Sequence, residues 1–165
     1  MIISNITGKS YTPQDFLPLL EKRLRKHIRL HDLISQGGVY KIDTSTLAGA
    51  VLRHFLLQIF EERITFSEEG TPLSVETLDD YISKNLSSFF TAKALPAIII
   101  SPLQCISRGE LLQAAKLLDL SGSLPPEPHS FIEELHKIYP QTRSSFLKSF
   151  LHIDSLRENI SEKQS

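Results

Sequence analysis

The string "EKRLRKHIRLH", Glu21 to His31, holds the densest chemistry in the chain. Lys22, Arg23, Arg25, Lys26 and Arg29 crowd into about two turns of a helix. Positive charge at that density can neutralise phosphates and release their counterions. At helical spacing Lys22, Arg25, Lys26 and Arg29 fall near one face. These five are the candidate nucleic-acid-binding residues, against the plainer reading of a solvated helix face. His27 and His31 stand at i and i+4, a spacing that can seat a metal. No glutamate completes a His-Glu-x-x-His pattern and the neighbouring cations would repel a metal ion, so no metal site is expected. Cys105 is the single cysteine, which excludes an internal disulfide and a cage of several thiolates. With no base beside it in sequence, it reads as a core residue and not a nucleophile. Gly37-Gly38 precedes a strand, whereas a phosphate loop follows one. No nucleophile elbow or carboxylate pair rises above the background of 19 acidic residues, so no catalytic residue is nominated.

The elements that must carry these groups can be read from periodicity and caps. Thr12-Pro13-Gln14-Asp15 starts a helix, and Leu17, Leu20, Leu24, Ile28 and Leu33 extend it to about Ser35, with Gly37-Gly38 as the stop. Ile2-Ile3 and Val39 to Ile42 suggest short strands. Thr46 to about Glu62 carries Leu47, Val51, Leu52, Phe55, Leu56 and Ile59, the wide apolar face of a core helix. Ser74 to Phe90 reads as a weaker helix with Leu78, Ile82, Leu86 and Phe89 on one side, flanked by the loops SEEGTPLS and TAKALP. Ala97 to Ile100 is a short β-branched run after a proline and reads as a buried strand. Ser107-Arg108-Gly109-Glu110 is a capping box opening a helix over 108–118, and Ser130 to Glu133 is a second, opening a helix to about Ile138. Tyr139-Pro140 breaks that helix, and 142–152 makes the last one. Strands separated by helices predict an α/β fold: a partial Rossmann-like parallel sheet with flanking helices and a helical C-terminus. One domain is expected over 1–153, with a polar, frayed tail over 154–165.

Composition narrows the class further. The net charge of −1 gives no overall basicity, so contact with nucleic acid must come from a local patch. Hydrophobic residues make up 41% and charged residues 22%, as in ordinary globular domains. The N-terminal MIISNITGKSY lacks a basic stretch followed by an apolar one, so no signal peptide is expected. Apolar runs fall far short of the ~20 residues of a membrane span, and a cytoplasmic location without membrane contact is the expectation.

Three ordered blocks resemble the PP-loop ATPases that thiolate tRNA, most closely the tRNA 2-thiocytidine synthetases. They are "KRLRKHIRLHDLISQGGVYKI", "KIDTSTLAGAVLRHFLLQIFEERI", and "IIISPLQCISRGELLQAAKLLDL" with "FIEELHKIYPQTRSSFLKSF". They span about 20 to 150 and correspond to the C-terminal half of the family's domain. The departures concern the chemistry. The family's Ser-Gly-Gly-x-Asp-Ser loop, which grips the ATP pyrophosphate, has no counterpart, and Ser45 to Ala50 stand where the family has Gly-His-His-x-Asp-Asp. Pro18-Leu19-Leu20-Glu21 replaces the first Cys-x-x-Cys, Ser101 replaces the arginine of Arg-Pro-Leu, and Cys105 falls on no iron–sulfur ligand position. The resemblance thus implies a Rossmann-like frame with a degenerate active site and no bound cofactor, since the ATP and iron–sulfur motifs are absent. The implied function is binding of tRNA or of a complete PP-loop enzyme, or self-association through an exposed sheet edge. Any activity would be ATP-dependent, like that of a tRNA cytidine 2-sulfurtransferase.

Two other readings compete. One is a soluble α/β protein-interaction domain. The other is a GTPase-binding domain: "PLLEKRLRKHIRLHDLISQGGVYKIDTS" also resembles the start of the all-helical Rho-type GTPase-activating domains. Lys41 would stand there in place of the catalytic arginine, a poor substitute for a planar guanidinium.

Overall fold

The computed structural model describes residues 1–4, 6–91 and 99–124, and in the C-terminal part residues 134, 137–139, 141–143, 145–146, 148–150 and 152–153. A short antiparallel hairpin pairs β1 (Ile2–Ile3) with β2 (Ser10–Tyr11). Helix α1 follows over Pro13–Leu30. The Thr12 hydroxyl accepts from the Asp15 amide, and Pro13 occupies the first turn where its missing N–H costs nothing. Phe16, Leu20, Leu24 and Ile28 recur every fourth residue and form one buried stripe. The helix stops five residues short of Ser35. Asp32 adopts φ 49° and the Leu33 amide donates to the Ile28 carbonyl at 3.1 Å, a Schellman closure built on an aspartate. Gly37, with φ 76°, makes the separate turn into the next strand.

The sheet is parallel and three-stranded. Its centre is β3 (Val39–Lys41), flanked by β4 (Thr65–Phe66) and β5 (Thr71–Pro72). Val39 pairs with Thr65 and Tyr40 with Phe66 on one side; Tyr40 pairs with Thr71 and Lys41 with Pro72 on the other. The chain therefore passes from one flank of β3 to the other within residues 67–70. Gly70 makes that passage possible: a Cβ there would lie 2.5 Å from the Tyr40 carbonyl carbon. Helix α2 (Leu47–Phe60) is the crossover between β3 and β4, capped by Thr46. β5 falls in the SEEGTPLS stretch that reads as loop from sequence, and β4 lies just before it where no element is read, because two residues are too few to display alternation. A sheet with this topology excludes the all-helical GTPase-activating alternative.

The strand expected over Ala97–Ile100 is not seen where it can be checked. Ile99 and Ile100 have no strand pairing and Ile99 is 54% exposed, while residues 97 and 98 lie outside the described residues. A continuous apolar run marks burial only if a neighbouring strand is there to pair with it. Two further helices follow. Helix α3 (Leu78–Phe90) opens on Thr77 and Asp80, which cap each other's amides. Helix α4 (Arg108–Leu117) opens on the expected Ser107–Glu110 capping box. The capping box at 130–133 and the tail over 154–165 lie outside the described residues. The described residues between 142 and 153 are helical, as expected for the last helix.

The main core joins the inner faces of α1, α2 and α4 with Tyr40, Ile64, Leu103 and Ile106. A second cluster ties α3 to the C-terminal helical residues through Leu78, Tyr81, Ile82, Leu86 and Phe150. Beside it Arg143 Nε donates to Asp79 Oδ1, and Asp79 Oδ2 accepts from the Arg108 amide at the start of α4.

Candidate nucleic-acid interface

The buried stripe of α1 fixes which cations face outward. Lys22, Arg25, Lys26 and Arg29 are all exposed. Lys22, Lys26 and Arg29 have no ion-pair partner among the described residues. Arg25 pairs with Glu21 one turn earlier, an exposed pair of small energetic weight. The four occupy one side of the helix, as their spacing predicts.

Arg23 is placed differently. Its side chain turns inward and is only 17% exposed. Nη1 donates to both Glu110 oxygens, at 2.9 and 3.1 Å, and Nη2 donates to Ser4 Oγ at 2.9 Å. Ser4 Oγ in turn donates to Glu110 Oε1, and the Ser107 amide donates to Glu110 Oε2. The α4 capping glutamate is thus the hub of a buried network that pins β1, α1 and α4 together. Arg23 serves this network, so the structure assembles Lys22, Arg25, Lys26 and Arg29 without it. Charge pattern alone could not separate Arg23 from its neighbours; its position beside the Leu20–Leu24 stripe was the available signal.

His27 lies next to Arg23 on the inner flank of α1. Burial, and then the nearby His31 ring, lower its pKa to about 4, so it is neutral at physiological pH. Its Nε2 lies 3.1 Å from the Ser101 carbonyl oxygen and, in the neutral ring, donates to it. The two histidine rings meet edge to face, 4.6 Å apart. Among the described residues no group of three His, Cys, Asp or Glu side chains could hold a metal ion. Burial pushes the Cys105 thiol up to about 12, so it stays protonated. Cys105, His27, Lys26, Leu30, Gln104 and Ile6 border a mostly apolar groove of about 270 Å3.

The turn from β3 into α2 consumes its own polar groups. Asp43 Oδ1 accepts from the Ser45 amide and hydroxyl, which hold its carboxyl below the usual range. Thr46 Oγ1 accepts from the Gly49 amide and donates to the Asp43 carbonyl. Gly49 is required there, since a Cβ would lie 1.9 Å from that carbonyl oxygen. Beyond the turn, the starts of α2, α3 and α4 converge on a cleft of about 470 Å3 lined by Thr46, Val75, Thr77, Asp80, Arg108 and Leu111. A second cleft, also about 470 Å3, lies at the carboxyl ends of β3 and β4. Sequence reading did not bring these cations together: Lys41 pairs with Glu68 at 2.7 Å, and Arg53 stacks 5.5 Å over Phe66. Their separation along the chain leaves no local signal.

No family model and no curated protein matches the sequence. The parallel sheet with flanking helices is a Rossmann-like α/β fold. Among solved structures the chain is similar to the U34-tRNA thiolase NcsA from Methanococcus maripaludis with its [4Fe-4S] cluster. The TM-score is 0.71 at 12% identity, over 93% of this chain and 83% of that chain. The likeness therefore extends beyond the half-domain that the sequence blocks suggest. The residues present do not fit a thiolate-held cluster, because the one cysteine is a half-buried, protonated thiol and such a cluster needs several.

Proposed function

We propose that this chain binds tRNA through the exposed face of α1 and does not itself thiolate it. The observation that carries the reading is the set of outward cations Lys22, Lys26 and Arg29, without an ion-pair partner among the described residues, on a fold shared with a tRNA thiolase. The non-catalytic part rests on the turn over 43–49, where Asp43, Ser45 and Thr46 bond locally, and on the lack of several cysteine ligands. The closer kinship with 2-thiocytidine synthetases rests on the three sequence blocks. A tRNA-binding role places the protein in the cytoplasm; no helix among the described residues is long and apolar enough to cross a membrane. Docking on a complete PP-loop enzyme belongs to the same proposal, with the tRNA as the shared ligand. Self-association through the sheet has weaker support, because β4 and β5 are two residues each and Pro72 removes a donor from β5.

The test is fluorescence anisotropy with labelled tRNA across a salt series. Three phosphate contacts predict a slope of log Kobs against log salt of about −2 to −3. Replacing Lys22, Lys26 and Arg29 together by glutamate flattens that slope and weakens binding at least about tenfold, with the melting temperature nearly unchanged. Wild-type protein that fails to bind tRNA at low salt refutes the binding role. Robust ATP turnover by the purified chain refutes the non-catalytic role.

A further inference from the structure

The groove beside the basic face has features the phosphate contacts do not use. Leu30 is the last residue of α1 and is 71% exposed between Arg29 and His31. It borders the groove with Ile6 and Cys105, and the protonated thiol adds no charge. Two polar side chains also line it. Neutral His27 keeps Nδ1 as an acceptor once Nε2 donates to Ser101. Gln104 donates its amide to the Ile99 carbonyl at 2.9 Å, and its Oε1 has no partner among the described residues. Lys26 belongs both to the groove and to the cationic face. At about 270 Å3 the space is just below the roughly 300–1,000 Å3 of whole small-molecule clefts.

We propose that this groove takes one unstacked nucleobase of a single-stranded RNA segment whose phosphates lie on Lys22, Lys26 and Arg29. The inference rests on the tRNA-binding reading above and adds what that reading lacks, a preference for unpaired nucleotides. The charge beside the groove calls for an anion, and the groove itself for a neutral, mostly apolar ring with hydrogen-bonding edges. A nucleotide chain supplies both. An acyl chain would leave the inward His27 and Gln104 acceptors without donors, which disfavours an anionic lipid.

The experiment compares three probes on the full chain: a short single-stranded RNA, the same strand with one abasic site, and a duplex of equal length. Wild-type protein binds the single strand at least about fivefold more tightly than either of the others, the scale of one lost base contact. Leu30→Ala, a change at an exposed site, lowers single-strand affinity by about fivefold. It leaves duplex and abasic affinities unchanged, so the substitution and the abasic lesion are not additive. Equal effects on all three probes, or none, overturn the base groove while the tRNA-binding reading stands. Failure of wild-type protein to bind any RNA sinks that reading and the groove with it. Binding to phosphatidylserine–phosphatidylcholine vesicles in place of RNA overturns both.

Discussion

Arg23 and Lys26 are three residues apart on one helix, and their surroundings give them opposite uses. Arg23 neutralises a carboxylate that is 1% exposed, whereas Lys26 is open to solvent. Arg23→Ala leaves Glu110 buried without its countercharge and should cost about 3 kcal/mol in urea unfolding. Lys26→Ala should change stability by less than about 0.5 kcal/mol in the same assay. His27 gives a pH signature. Its folded pKa, about 4, lies below the ordinary 6.5, so the unfolded chain binds the proton more readily. Stability is therefore full above pH 6.5 and falls as pH drops towards 4, by about 1–2 kcal/mol after allowing for solvent screening. Thermal melts over that range should show the loss, and His27→Gln should reduce its slope.

At the level of elements, the β3–α2 turn is held by hydrogen bonds among its own residues. Asp43 Oδ1, Ser45 and Thr46 bond within the turn, closing the strand and opening the helix, while the Asp43 carboxylate stays exposed. Gly49 is the sharpest check. In an ordinary helix position Gly→Ala gains up to about 1 kcal/mol. Here the added methyl would collide with the Asp43 carbonyl, so Gly49→Ala should destabilise by about 2 kcal/mol in chemical denaturation. A gain in stability would show that the turn relaxes and that the close approach is incidental. The strands illustrate a different limit. Val39 to Lys41 was legible as a strand because β-branched and aromatic residues follow a glycine turn. Thr65-Phe66 and Thr71-Pro72 were not, since their pairing depends on where Tyr40 lies in space.

For the whole molecule, the joint between α3, α4 and the C-terminal helical residues depends on Asp79. One oxygen holds Arg143 and the other caps α4, in surroundings where both side chains are almost fully buried. Arg143→Ala should cost about 3 kcal/mol and open the C-terminal residues to proteolysis well before global unfolding. Cleavage rates matching wild type would show that Phe146 and Phe150 packing holds that segment without the ion pair.

The helices, their caps and the basic cluster were readable because each depends on contacts within about four residues. Thr12, Thr46 and Ser107 open helices where the sequence places them, and the stripe of α1 follows from spacing. The single cysteine and the uncharged Ser45–Ala50 stretch are likewise matters of identity alone. Tertiary structure decided the rest. It ended α1 on Asp32, recruited two-residue strands around Tyr40, left Ile99 outside the sheet and turned Arg23 from a surface cation into a core residue. Each of these depends on a partner distant in the chain, such as Glu110 for Arg23. Energies of that kind leave no periodic trace in a local stretch of sequence.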